Sequence, residues 1–144
     1  MKQQPKRIDA ASCREATRRI DEFLAGLDAE PDLESIPERY RDLARRDHER
    51  LQTDVRSDRH RDHRWRARKC LRCQYRGALA GAAITVRPCG LCLEPQQYGS
   101  TNAGVLCVAC ASAHGLCAHC GGDLGGDLDR TDYPTSPTAV SAHE

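Results

Sequence analysis

An α+β fold, with a helical hairpin at the N-terminus and a small cysteine-stapled module after it, follows from three features of the sequence. Apolar residues recur at helical spacing only in the first part of the chain. Eight of the nine cysteines fall into four CxxC pairs, Cys70/Cys73, Cys89/Cys92, Cys107/Cys110 and Cys117/Cys120. Leu, Ile, Val and Phe together make up 23 of 144 residues, below the roughly 20% at which burial alone ordinarily holds a core. A chain this poor in core residues needs some other cross-link.

The elements follow in order. Ser12 and Glu15 have the spacing of a capping box, and Ile20, Phe23, Leu24 and Leu27 then fall at i, i+3, i+4, i+7, predicting a first helix. Asp28–Asp32, with Pro31 inside it, interrupts the pattern. A second helix is expected from Ser35 as N-cap, with Pro37 in its first turn and Glu38 three residues on. Packed as an antiparallel pair, the two would bury the first stripe against Ile36, Tyr40 and Leu43. That core is thin, and a second copy of the chain or the following module is expected to complete it. The stretch RSDRHRDHRWRARK, residues 56–69, contains no helix breaker, so the second helix is expected to run on to Cys70. Residues 1–69 therefore read as a helical unit, 70–124 as the cysteine module, and 125–144, rich in Gly, Asp, Thr, Ser and Pro, as a disordered tail.

Two CxxC pairs complete a tetrahedral four-thiolate site, so four pairs predict two zinc ions, bound by Cys70, Cys73, Cys89, Cys92, Cys107, Cys110, Cys117 and Cys120. The spacings known for ferredoxin-type clusters are absent, and no βαβ pattern accompanies a redox CxxC. Cys13 stands apart and reads as a small buried residue. A strand is expected at Ala83–Arg87, a hairpin turn within Gln96–Gly104, and a short helix over Val108–His114 that carries Cys107 and Cys110 at its start and ends at Gly115. Three pairings of the knuckles compete. Sequential pairing, Cys70/Cys73 with Cys89/Cys92 and Cys107/Cys110 with Cys117/Cys120, is preferred. Nested pairing, with Cys89/Cys92 joined to Cys107/Cys110, comes next, and a crossed, RING-like brace last. Knuckle, hairpin and helix-borne ligands resemble the treble-clef zinc fingers, and the terminal CAHCGGDL resembles the closing knuckle of zinc ribbons. The resemblance covers residues 70–124, names a fold group and implies a structural metal.

Charge is segregated. Residues 1–55, 56–76 and 77–144 carry nets of −2, +7 and −4. In the middle segment arginine outnumbers lysine eight to one, which favours bidentate phosphate or carboxylate contacts. If residues 56–69 are helical, Arg61, Arg64 and Arg68 form one stripe beside Trp65, the single tryptophan. With Arg59 and Arg66 they are the candidate nucleic-acid contacts, and DNA is expected in preference to RNA. An acidic protein is the alternative partner, and a homodimer through the N-terminal helices a further expectation. No nucleophile–base pair or open metal position stands out, so an enzyme is not expected. No apolar run approaches the about 18 residues of a membrane helix and no signal core follows Met1, so a cytoplasmic protein without membrane contact is expected.

Overall fold

The computed structural model describes residues 7–76 and 81–134. Helix α1 runs Ala10–Gly26. Its cap is Asp9, one turn before the expected site: Asp9 Oδ1 accepts from the Ser12 N–H at 2.7 Å, and Ser12 Oγ accepts from the Asp9 N–H at 3.1 Å. Ser12 is thus the return half of the capping box and not its start. Glu15, Arg18, Arg19 and Glu22 interlock in ion pairs on the solvent side. The buried side is Cys13, Ala16, Thr17 and Ile20, at i, i+3, i+4, i+7.

Helix α2 spans Glu38–Ser57 after Pro37. The expected hairpin core does not form as read: Tyr40 and Leu43 are 47% and 56% exposed, while Ile20 packs against Cys70 and Cys117 with Leu24 and Leu124 alongside. Helix α1 directs its buried stripe at the cysteine module, where Ile20 meets Cys70 and Cys117 and Cys13 joins the cluster of Cys89 and Leu106. The two helices are tied where Gln52 hydrogen-bonds the Leu27 carbonyl and Arg56 pairs with Asp28.

The second helix does not continue to Cys70. Asp58 adopts a left-handed conformation, φ 46°, and caps α2. A separate short helix, α3, covers Arg61–Arg66. Arg68, φ 52°, turns the chain again before α4, Leu71–Tyr75. Aspartate tolerates this region better than most residues, and an ion pair secures it. Arg64 grips Asp58 through three N–H···O contacts of 2.7–3.1 Å and also donates to the Lys69 carbonyl. Tyr75 donates its hydroxyl proton to Asp58 at 2.5 Å and accepts the His60 N–H.

Strands β1, Thr85–Pro88, and β2, Pro95–Tyr98, pair antiparallel from Thr85↔Tyr98 to Pro88↔Pro95. The hairpin tip is therefore the Cys89–Cys92 knuckle, and the expected turn at Gln96–Gly104 instead supplies β2 and the return to the last helix. That helix, α5, spans Val108–His114 with Cys107 as N-cap and Gly115 as its left-handed C-cap, as expected. The largest buried cluster joins Ile8 and Cys13 of the N-terminal region to Cys89, Leu91, Leu106, Ala111, Leu116 and Tyr133. Tyr133 lies in the segment read as a disordered tail, of which residues 125–134 instead close over α1 and residues 135–144 fall outside the described residues. Arg130 secures this strap, donating to Asp123, Asp132 and the His114 and Gly115 carbonyls. Among the described residues, no helix is long and apolar enough to cross a membrane.

Candidate metal centres

The eight paired cysteines converge as two groups, Cys70/Cys73/Cys117/Cys120 and Cys89/Cys92/Cys107/Cys110, with the sulfurs of each group within 4.8 Å of one another. This is the nested arrangement, and it corrects the preference for sequential pairing. The reason lies in α5. Cys110 sits in its first turn among the inner sulfurs, whereas beyond left-handed Gly115 the chain folds back, the Leu116 N–H on the Ala111 carbonyl, and delivers Cys117 to the Cys70 amide.

Both groups are built on one plan. Each combines a CxxC at a helix N-terminus with a CxxC at a tight reversal. Cys70 caps α4 and Cys107 caps α5. The Cys89 knuckle closes the β1–β2 hairpin, and the Cys117 knuckle is clasped by the Leu116↔Asp123 bridge and the Cys117–Gly122 hydrogen bond. The N–H of each capping cysteine donates to the first sulfur of the facing knuckle: Cys70 to Cys117 Sγ at 3.2 Å, and Cys107 to Cys89 Sγ at 3.3 Å. Within the helix starts, Cys73 N–H donates to Cys70 Sγ and Cys110 N–H to Cys107 Sγ, both at 3.4 Å. Only the chain order differs, helix start first in the outer group and knuckle first in the inner.

The donor set fits zinc. A tetrahedron with Zn–S bonds of about 2.3 Å has sulfur–sulfur edges of about 3.8 Å. Cys70 and Cys120 are 4.0 Å apart and Cys92 and Cys107 3.9 Å, near that edge and well beyond a disulfide's roughly 2 Å. Hydrogen bonds from Cys120, Cys70 and Cys73 hold the Cys117 thiol far below its usual range, and the same contacts drive Cys120 up. Burial pushes Cys89 up, but the N–H donors of Cys107, Cys92 and Leu91 outweigh it and bring the thiol to about 7. Four sulfurs so close share charge comfortably only around a cation. Each four-cysteine group can therefore hold a zinc ion. Cys13 is buried and outside both groups; His60, stacked on Tyr75, and His63 are exposed and also outside them.

Helix α1 seals the outer group through a backbone approach. A Cβ on Gly122 would stand 2.8 Å from Ile20 Cδ1 and 2.9 Å from the Ala16 carbonyl carbon and the Thr17 nitrogen. Thr17 completes the junction. Its hydroxyl donates to the Cys13 carbonyl at 2.7 Å and accepts from the Asp123 N–H at 2.9 Å and from Tyr133 Oη at 2.8 Å. A hydroxyl has one proton and two lone pairs, so all three are in use.

The arginine stripe is not assembled as expected. Arg64, with its side chain 11% exposed, is occupied by Asp58 and the Lys69 carbonyl, and Arg68 lies past the end of α3. Trp65 is 51% exposed with the Arg68 guanidinium 4.8 Å over its ring. Arg59, Arg61 and Arg66 are exposed.

Sequence patterning missed a second basic site altogether. A cleft of about 450 Å³ beside the outer group is lined by Arg7, Arg19, Arg72 and Arg87, with Glu15 and His119. Its arginines come from four separate segments; only Arg72 had a visible signal, its position next to a cysteine. Burial lowers His119, Cys117 raises it, and Lys69, Arg87 and Arg72 add to the lowering, so cations crowd this imidazole. Comparison of the chain with protein-family models, curated proteins and solved structures finds no match.

Proposed function

We propose that this chain is a zinc-finger protein that binds nucleic acid, DNA in preference to RNA, with two structural zinc ions holding the surface that does so. The observation that supports it is the half-exposed Trp65 with the Arg68 guanidinium over its ring, in a segment whose Arg59, Arg61 and Arg66 are also exposed. An indole kept at the surface among guanidinium groups offers a base a stacking face and its phosphates counter-charges. Arg64 supports the segment from beneath and touches no ligand in this reading.

Trp65 is the single tryptophan, so its fluorescence reports binding directly. Titration of the zinc-loaded protein with DNA and RNA across a salt series should show quenching, and affinity should fall with salt. Arg61→Ala with Arg66→Ala, which keeps the indole reporter, should abolish most of it. A second reading, an adaptor for an acidic protein, draws on Ile84 and Val86, exposed two residues apart on one face of the β1 segment. If neither DNA nor RNA binds at low ionic strength, the adaptor reading replaces the first.

A further inference from the structure

The two metal groups share a plan but differ in their surroundings. In the outer group Cys70 and Cys117 are fully buried, with Ile20, Leu24 and Leu124 packed around their sulfurs. Cys73 and Cys120 are half-buried and line the cleft beside α1. The inner group is more open. Of the nine cysteines, all among the described residues, Cys92 alone is exposed, and its neighbours Cys107 and Cys110 are half-buried. Cys89 is the enclosed member, 1% exposed, and accepts the N–H groups of Leu91 and Cys107. Cys13, the thiol outside both groups, is likewise 1% exposed in the core. Bound to zinc, every ligand sulfur is a thiolate, so access and not ionisation decides which one an oxidant meets. Cys92 Sγ also has a partner at hand. Cys107 Sγ lies 3.9 Å away, at the start of α5, and closing that gap to a disulfide's roughly 2 Å takes about 2 Å of movement.

We propose that Cys92 is an oxidation site, at which hydrogen peroxide converts Cys92 and Cys107 to a disulfide, so that the inner group loses its zinc while the outer group keeps its own. The Cys92 sulfur attacks the O–O bond, becomes a sulfenic acid and expels hydroxide. The Cys107 thiolate then attacks the Cys92 sulfur, forms the S–S bond and expels a second hydroxide. Two protons from solvent turn both hydroxides into water. The two sulfurs together lose two electrons, and the peroxide gains them. Cys89 and Cys110 remain as thiolates, two short of the four that a closed tetrahedral site uses. The contact of Ile20 with Cys70 and Cys117 is untouched, so α1 stays docked on the outer group. None of this depends on what the Trp65 surface binds.

The test treats two-zinc protein with hydrogen peroxide and follows released zinc with a chromogenic indicator. Disulfides are mapped by mass spectrometry after chymotryptic cleavage, which cuts at Tyr98 between the two cysteines. One zinc per chain should leave in step with a Cys92–Cys107 linkage, and dithiothreitol with added zinc should restore both sites. The amides of Ala16 and Ile20 should keep their protection from hydrogen exchange. Cys92→His keeps four ligands, since three cysteines and a histidine also bind zinc, and should slow release by about tenfold or more. Cys73→His, the matched change in the outer group, should leave release from the inner group as in wild type. Zinc leaving the outer group first, or both groups together, would overturn the assignment. So would a first disulfide between any other pair, or wild-type release from zinc-loaded Cys92→His. If Cys92→His does not load two zinc ions, the order of release and the linkage formed in wild type decide by themselves.

Discussion

Cysteine-to-serine pairs separate the three pairing schemes by counting metal. If Cys70 and Cys117 serve the same ion, Cys70→Ser with Cys117→Ser dismantles one site and leaves the other, so one zinc per chain remains. Cys70→Ser with Cys89→Ser strikes both groups and leaves none. Sequential pairing gives the reverse, and a crossed brace gives no zinc in either variant. The energetics should follow the counts. A structural zinc contributes on the order of 10 kcal/mol of apparent binding energy, and the first serine forfeits most of one site's share. The second serine in the same group then adds little, a coupling that two substitutions in separate groups would lack. The 4.0 Å Cys70–Cys120 and 3.9 Å Cys92–Cys107 separations place each sulfur on an edge of its own tetrahedron and leave none to share. The assay is metal content by mass spectrometry after equilibration against a buffer holding free zinc low enough to strip three-thiolate remnants. Zinc-free Cys70→Ser/Cys117→Ser protein beside one-zinc Cys70→Ser/Cys89→Ser protein would refute the nested geometry.

Further outcomes follow from the junctions around the metal groups. Thr17→Val keeps the shape but strands the Asp123 N–H and the Tyr133 hydroxyl, and should cost about 2–4 kcal/mol in denaturant unfolding, whereas Thr17→Ser should cost far less. Gly122→Ala should destabilise more than its single methyl suggests, since its Cβ would collide with the α1 backbone, and thermal melting with a loss of α1 protection in hydrogen exchange checks this. Chelation should expose the amides of Cys13, Ala16 and Ile20 along with the module, because α1 docks on it; exchange confined to residues 70–122 would contradict that docking. Arg64 and Tyr75 hold the Asp58 carboxyl below its usual range. Its contribution to stability is therefore present above the unfolded carboxyl value near pH 4 and fades as pH falls through the folded value. Asp58→Asn should lower the urea midpoint at pH 7 and narrow its gap to wild type under acid.

Much of the module was legible because its rules are local. A CxxC followed by Val108–His114 and Gly115 carries both its cap and its stop, and α5 forms over those residues. The pairing was not legible, since all four CxxC motifs carry the same two thiols and only the reversal after α5, at left-handed Gly115, sends Cys117 away from Cys110. The α1 stripe was read two turns late for a similar reason. Cys13, Ala16 and Thr17 look polar or small in sequence, yet they are what allows Gly122 to approach the helix backbone. Arg64 looked like a surface charge because its partner, Asp58, faces it only after a left-handed break that no proline or glycine announced. Residues 125–134 looked like a tail by composition, but one tyrosine and one arginine suffice to fix them: Tyr133 on Thr17, Arg130 across Asp123 and two carbonyls.

The enclosure of one four-cysteine group by the other sets an order of assembly. The inner group closes a loop whose ligands lie between Cys89 and Cys110, whereas the outer must join Cys73 to Cys117 across the whole of it. Once the inner ion is seated, the outer closure has only the fifteen residues before Cys89 and the six after Cys110 left to order. That is about half the original loop, a saving of about 0.6 kcal/mol. The entropy gained is small, but the direction is fixed. Metal scarcity would first yield a half-loaded chain whose hairpin and α5 are in place and hold α1 through Ile8 and Cys13 alone. The outer ion, whose cysteines pack against Ile20, then acts as the latch that fixes the rest of that helix.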